Sequence, residues 1–164
     1  MGTGKSSVGR TAAEVLQFAF LDTDHEIESR TGLSISEIFA RHGEPAFREL
    51  EAKVVQELAE KRRTIIATGG GLPVNPTNLA SLKTHALVVC LWASAESIYE
   101  RVKGHSHRPL LNNPDPLEKI RQLLTIREPY YRQADVLINT EMRSVREVAA
   151  QVVHQFHLAH AAHP

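Results

Sequence analysis

An α/β fold, with a mostly parallel sheet covered by helices on both faces, is the fold class this sequence predicts, and three observations predict it. Short apolar runs alternate with longer amphipathic runs along the 164 residues, the pattern of strand–helix–strand units whose crossovers build parallel sheets. The short runs are apolar almost throughout, as strands buried on both faces are. No internal repeat and no long linker interrupts the pattern, and the length suits one domain, 1–164, with a sizeable core.

Taken in order, residues 5–17 show helical spacing, and the apolar run 18–21 reads as a strand. Amphipathic stretches at 34–42 and 44–62 predict two helices, and 64–67 is a second buried strand. Pro76-Thr77 carries a helix-start signal. The run 86–91 predicts a third strand, 94–103 a helix, 116–133 a helix with a kink expected at Pro129, and 136–138 a fourth strand. Ser144 is an N-cap candidate for a helix over 145–157. Breakers concentrate at 69–76 and 104–116; the second group is an excursion from the core, and a frayed tail is expected over 158–164. His154, His157, His160 and His163 recur in that region, either as a weak metal-binding stripe or as solvated residues.

Nineteen basic against nineteen acidic side chains give zero net charge, so no global field favours a nucleic acid or an anionic membrane. The single cysteine, Cys90, excludes an internal disulfide and a multi-cysteine metal site; within its apolar run it reads as a buried, inert thiol. No stretch reaches the length of a membrane span, and a cytoplasmic, monomeric protein is expected.

The chemistry begins with Gly2-Thr3-Gly4-Lys5-Ser6-Ser7, which leads directly into the first helix. This is the back half of a phosphate-binding loop, G-x-x-x-x-G-K-[ST]. Helix-start N–H groups suit phosphate oxygens, Lys5 suits the β- and γ-phosphates of ATP, and the Ser6 hydroxyl suits Mg²⁺. Asp22 and Asp24 follow the first strand, at the sheet edge where ligands bind. In non-helical backbone both reach one cleft, one toward Mg²⁺ or an attacking hydroxyl and the other toward acceptor hydroxyls; the alternative is a helix cap with a first-turn charge. Arg48 lies in FRELE, as an anion ligand or a surface ion pair. Gly69, Gly70 and Gly71 follow the second strand, as backbone held against a ligand or as a loose turn. That strand ends without an aspartate, which leaves metal binding to Ser6, the ATP phosphates and Asp22. Arg101, Lys103, His105, His107 and Arg108 make a basic stretch that reads as a lid over about 104–115 or as an ordinary solvated loop. Arg127 precedes Pro129.

Together GTGKS, LDTD, FRELE, ATGGG, RPLL and REPYYRQAD resemble the shikimate kinase family, in its order and spacing, from Gly2 to about Val153. The resemblance implies a three-layer P-loop kinase fold, with ATP and Mg²⁺, that phosphorylates the 3-hydroxyl of shikimate in aromatic amino acid synthesis. It implies Lys5, Asp22 and Arg108 as catalytic groups, and Ser6 and Asp22 on the metal. Gly2 to Ser7, Arg101 and Arg108 would bind the nucleotide, with residues 140–144 by the adenine. Asp24 would bind shikimate hydroxyls, Arg48 and Arg127 its carboxylate, and Gly69 to Gly71 would line its pocket. The family's loop starts two residues before Met1, after a central strand that this sequence does not contain. Unpaired backbone edges and a cavity between the helix layers are therefore expected, with folding and activity impaired. The rival readings are a kinase for a gluconate-like or nucleoside monophosphate acceptor, and a nucleotide-binding protein without turnover.

Overall fold

The computed structural model describes residues 2–104 and 114–162. The first helix, α1 (Lys5–Leu16), buries Val8, Ala12 and Ala13 on one face and ends where Gln17 turns left-handed, its N–H returning to the Ala13 and Glu14 carbonyls. Strand β1 (Ala19–Asp22) runs straight into α2 (Thr23–Thr31). Helix α3 (Ile35–Leu58) opens with a reciprocal Ser34–Glu37 cap and breaks at Gly43, so the two expected helices are its two sections. Strand β2 (Thr64–Ala67) leads through the three glycines into a 3₁₀ turn (Leu72–Val74) and then α4 (Pro76–Lys83), capped by Asn75.

Strand β3 (Val89–Trp92) starts three residues later than its apolar run suggested, in register with β4 (Val136–Asn139) from Val89 opposite Val136. Between them lie α5 (Ala95–Val102), capped by Ser94, and α6 (Pro116–Tyr131), capped by Asp115. Pro129 sits in the last turn of α6, where the chain stays helical to Tyr131. Helix α7 (Val145–Ala162) starts at a Ser144–Glu147 capping pair and runs through most of the segment expected to fray, with Phe156 stacked on His160. Among the described residues no three His, Cys, Asp or Glu side chains gather as a metal cluster, and no helix is long and apolar enough to cross a membrane.

The sheet is divided. β1 pairs in parallel with β2, and β3 in parallel with β4. Among the described residues no ladder joins β2 to β3. Between these two facing edges lies a cavity of about 390 Å³, lined by Thr64–Ile66 and Val88–Leu91, with Phe18 from the α1–β1 link and Leu58, Leu82 and Phe156 from the helices. The expected gap at the centre of a parallel sheet is thus present, together with the cavity between helix layers. Cys90 borders it, half-buried, its thiol pKa pushed up chiefly by burial.

Packing follows the same division except at α1, which also lies on β1 and β2, with Gly9 against Phe20 and Ile65. Ile27, Ile38, Phe47, Val54, Val55 and Leu58 bury the α2–α3 layer against β1 and β2. Val8, Ala12, Val148 and Ala149 join α1 and α7 against Ile138 of β4. Ile98, Val102 and Ile120 join α5 to α6. All four strands are parallel within their pairs, and the loops that carry the candidate site residues leave the carboxyl ends of β1, β2 and β4.

Candidate active site

The nucleotide side is built from backbone. Gly4 caps α1 with φ +85°, a left-handed conformation that L side chains rarely adopt. It brings no capping side chain, and the first turn of α1 carries no acidic residue. The helix start therefore presents N–H groups and a positive dipole end with no carboxylate nearby on the helix to compete for them. Gly2 lies against Ile98 and Val102 of α5, and Thr3 is buried beside it. Lys5 is half-buried, with Ser6 and Ser7 exposed at the mouth.

Ser6 donates its hydroxyl hydrogen to Asp22 Oδ2 at 2.6 Å, joining the phosphate loop to the end of β1. The other oxygen of Asp22 accepts from the Asp24 and His25 N–H groups. Asp22 is thus both the helix cap and the carboxylate beside Ser6, so the two readings of it are compatible. The Ser6–Asp22 pair also fits Mg²⁺. Both donors are hard oxygens, and two are too few for an all-protein cage, which suits an ion that keeps waters and takes phosphate oxygens.

The acceptor side is built from buried charge. Asp24 is partly buried, and its carboxyl pKa is raised, first by burial and then by the neighbouring Asp22, with Lys5 working against both. Glu51 is 1% exposed inside the molecule, its carboxyl likewise pushed up by burial and held back by Arg48 and Arg127. Arg48 spans two carboxylates, 2.5 Å to Glu51 and 2.7 Å to Glu44, and so is part of an ion-pair group as well as an anion-ligand candidate. One oxygen each of Asp24 and Glu51 is buried without a hydrogen-bond partner among the described residues. Such atoms are costly in an interior and mark places where a ligand completes the bonding.

The glycines close this pocket. A Cβ at Gly69 would stand 2.7 Å from Asp24 Oδ1 and 3.0 Å from Glu51 Oε1, and one at Gly71 would stand 2.5 Å from Arg48 Nη1. Only backbone fits there, so the loop is held against the charged groups rather than loose. Gly69 N–H donates to the hydroxyl of Thr23, which is fully buried, and the Gly70 carbonyl accepts from the Tyr131 hydroxyl at 2.7 Å. Arg127, half-buried on α6, acts electrostatically on both Glu51 and Tyr131.

Arg101 lies away from that pocket. It donates to the Thr140 hydroxyl at 2.8 Å and the Thr140 carbonyl at 2.7 Å, tying α5 to the segment after β4. Next to it Glu141 accepts from the Ser94 N–H, the Ser94 hydroxyl and the Ser97 hydroxyl, which draw its pKa down to about 2. Thr140, the first residue of the 140–144 segment, thus stands beside Arg101. Arg108 and the body of the expected lid lie outside the described residues, as do His105, His107 and His163.

Sequence reasoning brought Ser6 with Asp22, and Asp24 with Arg48, Arg127 and the glycines, into single sites. It missed Thr23, Glu51 and Tyr131. Glu51 and Tyr131 stood inside the quoted runs FRELE and REPYYRQAD, so their place in those runs was the available signal.

The shikimate kinase family model matches residues 1–157. A shikimate kinase of Thermodesulfovibrio yellowstonii is 43% identical over 156 residues, covering 95% of this chain and 90% of the relative. One from Thermus thermophilus is 44% identical over 154 residues, covering 93% and 84%. A solved shikimate kinase from Acinetobacter baumannii in complex with shikimate superposes with a TM-score of 0.92 at 39% identity, over 97% of this chain and 89% of that one. The Aquifex aeolicus enzyme gives 0.83 at 36%, over 96% and 92%.

Proposed function

Since the chain belongs to the shikimate kinase family, we propose that its two half-sites work together to move the γ-phosphoryl group of ATP onto the 3-hydroxyl of shikimate. The observation that carries this reading is the acceptor pocket. Asp24, Arg48 and Glu51 converge on Gly69–Gly71, with Arg127 acting electrostatically on Glu51, and Asp24 follows two residues after Asp22 of the Ser6–Asp22 pair. A small carboxylate with several hydroxyls matches that set: guanidinium groups of Arg48 and Arg127 for the carboxylate, and the unpartnered Asp24 oxygen for a hydroxyl.

In the transfer, the 3-oxygen of shikimate bonds to the γ-phosphorus as the bond to the β-bridging oxygen breaks, and ADP leaves. Asp22 accepts the hydrogen bond of the attacking hydroxyl and orients it, and as the O–P bond forms the hydroxyl proton leaves to that carboxylate or past it to solvent. Lys5 and the α1 N–H groups hold the phosphates, and Lys5 offsets the charge that builds on the transferring group. Ser6 and Asp22 would hold Mg²⁺, which would supply neutralisation of phosphate charge. Arg101 and residues 140–144 flank the nucleotide base, and Arg108 brings a further positive charge from the 104–115 lid. The chain works as a single domain, 1–164, and as a cytoplasmic monomer.

The divided sheet favours a second reading, a chain that binds ATP without turnover because its phosphate loop is unsupported. A coupled ADP-release assay with shikimate, gluconate and nucleoside monophosphates, run beside an ATP-binding titration, decides between them. Shikimate-dependent turnover well above the other acceptors is expected. Equal turnover of a competitor overturns the acceptor assignment, and ATP binding without turnover selects the second reading.

A further inference from the structure

The charged pocket contains a tyrosine whose place is explained by neither phosphate binding nor core packing. Tyr131 closes the last turn of α6, one helical turn after Arg127, so the two side chains share a face. Its hydroxyl is half-buried and donates to the Gly70 carbonyl at 2.7 Å, across 61 residues of sequence. Arg127 bears on that same hydroxyl and on Glu51, which in turn holds Arg48. The Tyr131 hydroxyl is therefore the contact that fixes the end of α6 against the glycine loop, at the point where an arginine has to face the acceptor.

We propose that Tyr131 is a positioning residue for acceptor binding, its hydroxyl locking Arg127 in register with Gly70 so that the guanidinium is preorganised for an anionic acceptor. This rests on the reading of Arg127 as an acceptor ligand. The physical grounds are as follows. Arginine carries many rotamers, and an unrestrained one spends binding energy on being ordered. A tyrosine is stiff, with two side-chain torsions, and its phenol oxygen can donate to a carbonyl while accepting from a guanidinium. The Gly70 carbonyl offers a backbone anchor, because Gly69 on one side is hydrogen-bonded to Thr23 and Gly71 on the other lies closely against Arg48. Of the hydrogen bonds within the described residues, the one from Tyr131 joins α6 directly to the glycine loop.

The test is a double-mutant cycle on the full chain with Tyr131→Phe, Arg127→Ala and both together, reading shikimate KM, ATP KM, kcat and Tm. Tyr131→Phe keeps the ring and removes one oxygen, so the fold is retained. The expected result is a shikimate KM raised about tenfold, with ATP KM unchanged and kcat within about twofold, and a double variant no worse than Arg127→Ala alone, as for residues acting through one contact. Additive losses in the cycle would overturn the positioning role, as would a Tyr131→Phe variant with wild-type shikimate KM beside an impaired Arg127→Ala. A Tm loss that accompanies equal losses in both KM values would show a structural tyrosine instead. Unchanged shikimate KM in Arg127→Ala overturns the acceptor reading itself, and this inference with it.

Discussion

The two halves of the proposed site solve opposite recognition problems. On that reading the start of α1, a helix that lies on both half-sheets, meets the nucleotide with backbone: a left-handed Gly4, an uncapped helix start without acidic residues, and one lysine. The β1–β2 side, with α2 and α3, would meet the acceptor with buried charge: Asp24, Glu51 and Arg48, two of them holding an oxygen without a hydrogen-bond partner among the described residues. Phosphate is the same group on every ATP, so main-chain donors suffice to hold it. A particular hydroxy acid has to be told from its analogues, and buried polar groups left unpaired by the wrong ligand do that best. The difference has an energetic consequence: Lys5, which answers only to phosphate, sets the rate and leaves stability alone, whereas at Asp24 function and stability move in opposite directions.

The largest expected effect is on the nucleotide side. Lys5→Ala is predicted to lower kcat about a thousandfold with Tm unchanged, because the charge it opposes exists only when phosphate is present. Steady-state kinetics and a thermal melt on the same preparation check it; a matching fall in Tm would break the contrast between the halves.

The junction between the half-sheets comes next. The 390 Å³ cavity, at about 24 cal/mol per Å³, corresponds to an upper figure of about 9 kcal/mol of lost packing. An amino-terminal extension of about ten residues, an apolar strand ending in Gly-x, is expected to raise Tm by about 10 °C or more and to raise kcat/KM as the loop before Lys5 gains support. Equal melts for the two chains would show that the facing edges of β2 and β3 do not accept a strand.

Asp24→Asn sharpens the acceptor half. Because the folded-state pKa of Asp24 is raised, its contribution to stability is most favourable below about 3.8 and is lost as pH rises through the raised value. At neutral pH the ionised group therefore costs stability. The amide should raise Tm by a few degrees near pH 7, and an Asn N–H can also reach the unpartnered oxygen of Glu51. Shikimate affinity should fall at least tenfold at the same time. A variant that loses both stability and affinity would contradict the assignment of stored charge.

The smallest effect belongs to Glu141. Its pKa, drawn down to about 2 by the Ser94 and Ser97 donors, makes its contribution to stability fully present above about pH 4.5 and lost as pH falls toward 2. Glu141→Gln should make the fall of Tm between pH 5 and pH 3 shallower and leave neutral-pH shikimate KM alone. An unchanged slope would remove Glu141 from the account.

Much of this division was legible in the sequence. The four strands, the break between 42 and 44, the cap at Ser144 and the missing centre of the sheet follow from apolar runs, glycine and capping residues, which act over a few neighbours. Strand β3 slid to 89–92 because pairing with Val136 sets its register, and residues 86–88 of the same apolar run border the cavity. Glu51 looked like one more helix carboxylate: its burial depends on α2, Gly69 and Arg48 meeting there, and no spacing within FRELE distinguishes it from Glu49. Tyr131 and Thr23 were silent for the same reason, since each acts through one hydrogen bond to a glycine at least 46 residues away.

The central claim is that the charged pocket selects the acceptor by its carboxylate. The most direct measurement is kcat/KM for shikimate against its carboxamide, which keeps every hydroxyl and removes only the negative charge. With Arg48 and Arg127 left facing a neutral amide, the account predicts a preference for shikimate of about 100-fold, carried by KM. Equal kcat/KM for acid and amide would contradict it.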